Sequence, residues 1–256
     1  MKLRVLVVAA VSLGVVSTVH PALAQSAKRY HLELKTSAIQ DLSAVGQGEQ
    51  KQEFTLTGQV SISTTDSADG QSVSVVVDSL QASQGAPLPP AIVQGLVGTT
   101  WTGFRAPTGR VAELKPTTEV EGSPLVEGAL MQLFPPMVAG TAGGKAWTDT
   151  VDVDEGGLGI RTVINFETSN DTHEGKQAVR LAGASSSAIS GVQESPQGSL
   201  TIEGTGSGTI SWLIAGDGSV VAGTFAQDQA LEVSVPSLPA PIPLRIHNEG
   251  TSAVVR

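Results

Sequence analysis

Residue types able to do chemistry are sparse in this chain and scattered along it. The densest group is Asp149, Asp152, Asp154 and Glu155, followed by Gly156-Gly157. Hard cations take several carboxylate oxygens, so an acidic loop of this kind suits calcium. Alternation with Val151 and Val153 instead puts Asp152 and Asp154 on the wet face of a strand, and the spacing departs from the helix-flanked calcium loop. Asp152, Asp154 and Glu155 therefore stand as a secondary calcium candidate only, and no cofactor is expected. Beyond an N-terminal leader three histidines remain, His31, His173 and His247, in different elements and without ligand spacing. Ser185-Ser186-Ser187 has no Gly-x-Ser-x-Gly elbow around it, which points to a small-residue loop or an edge strand. Gly204-Thr205-Gly206-Ser207-Gly208 is glycine-rich but lacks the lysine of a phosphate loop, so a turn or bulge is expected there. The chain has no cysteine, which excludes thiol nucleophiles, thiolate metal sites and disulfides. No acid pair or nucleophile–base set gathers, and the chain is expected not to be an enzyme.

Large apolar side chains, by contrast, are concentrated: Ile92, Leu96, Trp101, Phe104, Leu130, Met131, Leu133, Phe134 and Met137. All but Leu133 form the candidate ligand-binding set. Two roles fit them. They plug a sheet and complete its core, or they roof an apolar cavity, since cavities lined by apolar residues and methionine between sheet and helix are common ligand sites.

The elements that must position these residues are mostly strands. Residues 1–24 come first: Lys2 and Arg4, an apolar run over 5–19, then Ala22-Leu23-Ala24, the layout of a cleaved secretory signal. The run is short of the roughly 20 residues of a spanning helix. A single β-rich domain is expected over 25–256. Its first part, 28–83, alternates at Tyr30, Leu32 and Leu34, then Phe54, Leu56, Val60 and Ile62, then Val73, Val75 and Val77, with a hairpin signal at Asp69-Gly70. That pattern predicts a three-stranded antiparallel meander. The middle part, 84–146, is proline-rich and predicts two short helices. One covers about 89–97, with Gly98 placed to cap it. The other begins with Ser123 as N-cap and Pro124 in the first turn, carries Leu125, Ala129, Leu130, Leu133 and Phe134, and stops at Pro135-Pro136. Between them Pro107-Thr108-Gly109 leads into a short strand over 110–114. The last part, 147–256, predicts a second meander with a hairpin at Asp217-Gly218. A sheet of ten to twelve strands has to curl, split or close to hide its apolar side. The expected architecture is a long curved antiparallel sheet, a half-barrel or open barrel, with two short helices on its concave face.

Removal of the leader leaves thirteen basic and 24 acidic residues, a balance of −11. Such a surface disfavours nucleic acid and anionic membrane as partners, and no membrane span is expected after cleavage. Aromatics are 4% of the chain, too few for a stacking platform.

Leu133-Phe134-Pro135-Pro136, Gly143-Gly144-Lys145-Ala146-Trp147-Thr148-Asp149-Thr150, and Gly206-Ser207-Gly208-Thr209-Ile210 ahead of Asp217-Gly218 together carry a resemblance. The chain resembles an uncharacterised family of exported bacterial β-rich proteins that pair a leucine-phenylalanine-proline element with a glycine-x-tryptophan strand start. Lys145 and Ala146 widen that spacing here. The strand–helix–strand order is also similar to the half-barrel fold of bacterial lipoprotein carriers, in which a curved sheet holds acyl chains under short helices. The leader leads us to expect a periplasmic or extracellular protein, and the apolar set one that binds a hydrophobic or lipid-like ligand between sheet and helices; the resemblance supplies no assigned site residue. The alternative is a structural or interaction domain of the cell envelope, with another protein as its partner and no ligand.

Overall fold

The alternating segments form eleven strands among the described residues of the computed structural model. Those residues are 27–255, apart from 44–45, 87–88, 108, 110, 137–142, 156, 196–197, 237 and 239. The expected leader and Met137 lie outside them. In chain order the elements are β1 (Lys28–Asp41), β2 (Glu49–Ser67), β3 (Gly70–Ala82), α1 (Pro90–Leu96), β4 (Thr100–Arg105), β5 (Val111–Pro116), α2 (Ser123–Met131), β6 (Ala146–Glu155), β7 (Leu158–His173), β8 (Lys176–Ser195), β9 (Gly198–Ala215), β10 (Val220–Ser234) and β11 (Ile242–Val254).

All eleven strands belong to one open antiparallel sheet, in the order β5-β4-β3-β2-β1-β11-β10-β9-β8-β7-β6. The two meanders are joined by the pairing of β1 with β11, which runs from Tyr30 opposite Val254 to Gln40 opposite Leu244. This order puts β5 at one edge and β6 at the other, although they are consecutive strands. The chain over 117–145 must therefore cross the whole sheet, about 48 Å if flat at ~4.8 Å per strand. The described part of that connection carries α2 over one face. Residues of β3, β2, β1, β11, β10 and β9 border one cleft together with α2. Six flat strands span about 24 Å, twice the width of a helix, so the sheet curls around α2.

Register explains how the concave face packs. Trp147, Phe166, Gly183, Ile210, Phe225, Gly250, Leu34, Leu56 and Ala82 are successive cross-strand partners from β6 to β3. Along this row the glycines leave room for rings. A Cβ on Gly183 would lie 2.8 Å from the Phe166 ring and 2.9 Å from Ile210, and one on Gly250 would strike the Phe225 ring. Phe166 cannot yield, because it is 3% exposed and packs between Trp147, 5.2 Å away, and Trp212, 6.5 Å away. Gly183→Ala is accordingly expected to cost about 1–3 kcal/mol through overpacking, read as a lower urea midpoint at unchanged slope.

The remaining core lies toward the α1 side, where Val75, Leu96, Trp101 and Leu130 are fully buried. The convex face is polar. Lys35 bridges Glu33 and Glu249 there at 3.2 and 3.4 Å, exposed pairs of small energetic weight.

Four local expectations differ from the structure. The segment Trp101-Thr102-Gly103-Phe104, in the part from which two helices and one short strand are expected, is a further strand, β4; Val75 pairs with Trp101 and Ser72 with Phe104, so the two aromatics face opposite sides. Ser185-Ser186-Ser187 lies neither in a loop nor on an edge but inside β8, between β7 and β9, with Ser187 buried and its Oγ 2.9 Å from Thr162 Oγ1. Residues 204–208 form the middle of β9, without turn or bulge. Ser123 is the first residue of α2; Gly122 is the cap, and the Ser123 hydroxyl donates back to the Val120 carbonyl at 2.6 Å. Gly98 follows the C-cap Val97 of α1, and its N–H reaches the Val77 carbonyl at 2.8 Å.

Candidate functional site

The concave rows converge under α2. From the sheet come Leu32 and Leu34 of β1, Leu56 and Val60 of β2, Ile210 and Trp212 of β9, and Phe225 of β10. From above come Val126 and Ala129 of α2 and Gln132 just beyond it. These walls are almost wholly apolar, because period-two alternation on every strand sends one face inward and the polar residues outward. The space enclosed is about 40 Å³, room for a few water molecules, whereas ligand pockets run to roughly 300–1,000 Å³. The cleft is thus a narrow seam between sheet and helix. Wider depressions of about 380 and 420 Å³ lie around His247, but they are open and bordered by polar residues such as Asp228, Lys35 and Glu53.

Trp212 ties the roof to the floor. It stands on β9, 4% exposed, and its Nε1–H donates to the Gln132 carbonyl at 2.6 Å. That carbonyl belongs to the C-cap of α2, where helices leave acceptors unpaired. Outside the cleft lining, Tyr30 of β1 donates its hydroxyl to the Val220 carbonyl at 3.0 Å. Burial, with Asp217 nearby, pushes the phenol up to about 12, so it stays a neutral donor. Two polar atoms in the cleft wall have no hydrogen-bond partner: Gln132 Oε1 and Ser252 Oγ.

The expected ligand-binding set lies around this seam and not along it. Leu96, Trp101 and Leu130 are completely buried in the core, Phe134 is 8% exposed, and Ile92 packs partly buried against them. Phe104 and Met131 are exposed. None of these seven borders the cleft. Concentration of large side chains marked the plug, while the cleft wall is drawn from six strands, two or three residues from each. Only the pairing register shows that Leu34, Leu56, Ile210 and Phe225 share a row.

The calcium candidates occupy the outer edge strand β6. Asp152 and Asp154 are exposed, and Asp152 sits opposite Arg161, 3.9 Å from its guanidinium. Glu155 ends the strand; its side chain is outside the described residues. Among the described residues no three His, Cys, Asp or Glu side chains gather as metal ligands. His247 instead faces Asp228 at 2.8 Å on the convex surface, with both side chains exposed. No described helix is long and apolar enough to cross a membrane. No protein-family model matches this chain, and no curated protein matches it.

Proposed function

We propose that this is an exported, non-enzymatic protein that holds a hydrophobic or lipid-like ligand between the concave face and α2. The supporting observation is the unbroken apolar row under a single short helix that is anchored to the sheet through one tryptophan. Filling the seam requires α2 to rise. The helix has nine residues and makes few intrahelical bonds, so its position depends on packing and on Trp212. Each CH₂ brought into the seam adds about 0.8 kcal/mol, close to a fourfold gain in affinity.

Native mass spectrometry of the protein purified from its own envelope fraction, with organic extraction of the same sample, tests the reading. The expected result is a one-to-one aliphatic adduct that tightens about fourfold per CH₂ across a homologous series and is lost in Ala129→Trp, which fills the seam. A bare protein that takes up no member of the series overturns it. The envelope interaction domain is the competing reading. The sheet edges do not favour it, because β6 carries Asp152 and Asp154 and β5 has six residues ending at Pro116, both of which discourage strand addition.

A further inference from the structure

Resting on that reading, we infer that the ligand is an uncharged amphiphile whose buried end is a hydroxyl, received by Gln132 and Ser252. Both residues border the cleft, and Gln132 Oε1 and Ser252 Oγ are sealed from solvent with no partner. A buried polar atom left unpaired is costly, and the great majority in folded proteins are satisfied. Two such atoms in one otherwise apolar cleft mark the place where a polar group of something else belongs.

Both residues are set into the cleft wall. Gln132 is fixed through its main chain by the Trp212 bond, 2.6 Å long. Ser252 lies across from Gly223, where a Cβ would come within 2.7 Å of the Ser252 hydroxyl. The missing side chain at 223 makes the space that this hydroxyl occupies in the cleft wall. An alcohol matches both atoms, since a hydroxyl donates to the amide oxygen and accepts from the serine.

A charged head does not match. Among the described residues the one charged residue bordering the cleft is Glu33, and its carboxylate turns to Lys35 Nζ, 3.2 Å away on the convex face. A carboxylate or phosphate buried there would have no counter-charge.

The test compares 1-octanol, 1-chlorooctane and octanoate at pH 8 by calorimetric titration of the full chain, in the wild type and in Gln132→Leu and Ser252→Ala. Octanol is expected to bind about tenfold more tightly than the other two. In each variant that preference should fall toward unity while chlorooctane binding holds. The thermal midpoint of each unliganded variant should stay level or rise, because an orphaned polar atom has been removed; a merely structural role would lower it. Equal affinity for octanol and chlorooctane, or a preference unchanged in both variants, overturns the inference and leaves the apolar-binding reading intact. Failure of all three compounds to bind overturns that reading and this inference with it.

Discussion

Trp101→Ala should destabilise the protein by about 3–5 kcal/mol, a large share of the roughly 5–15 kcal/mol that holds a typical domain together. Trp101 has no exposed surface. It joins β4 to the sheet opposite Val75, itself completely buried, and shares a core cluster with Leu114 of β5 and Leu130 of α2. Truncation opens a cavity bounded by two outer strands and the crossing segment, and none of them is free to collapse into it. Equilibrium urea unfolding followed by circular dichroism reads the loss. Trp101→Phe separates ring from polar atom. The indole Nε1 is buried without a partner, so phenylalanine gives up some volume but also removes an unpaired donor whose burial costs about 1–3 kcal/mol. The phenylalanine variant should lie within about 1 kcal/mol of wild type. A loss as large as that of the alanine variant would show that Nε1 is bonded in solution.

The contrast between these residues also shows what the chain reveals locally and what it does not. Strands with one wet face are legible one at a time: Tyr30, Leu32 and Leu34 alternate with polar neighbours because the pleat sends successive side chains to opposite sides. Asp69-Gly70 and Asp217-Gly218 mark the hairpins for an equally local reason. Strand β4 is hidden because its two aromatics are three residues apart, a spacing that suits one face of a helix and opposite faces of a strand. The middles of β8 and β9 are hidden because a strongly curled sheet has little room on its concave side. Ser187, Gly183, Gly204 and Gly206 occupy inward positions where apolar residues would have announced the strand. Least legible of all is the cleft. It exists only because β1 pairs with β11, and a pairing across more than two hundred residues leaves no mark in either segment.

Trp212 carries the second large effect, and it bears on function directly. Trp212→Ala should also cost about 3–5 kcal/mol, since a buried ring beside Phe166 is lost together with its bond to α2. Trp212→Phe is the sharper test. The ring position is kept, but the Gln132 carbonyl loses its donor at the end of a helix, which should cost about 1–3 kcal/mol where the same change at Trp101 costs little. The two substitutions are chemically identical and differ only in whether Nε1 has a partner. The loss at Trp212 should also be local. Hydrogen exchange is expected to speed up at Leu133 and Phe134, whose amides bond to Leu130 and Met131, while amides in the β1–β11 ladder keep their protection. That pattern would make Trp212 the latch of the roof, and a loosened latch should admit aliphatic ligands faster. If exchange rises evenly through sheet and helix, α2 is part of one cooperative core and does not lift separately, and binding under it would then require the whole sheet to open.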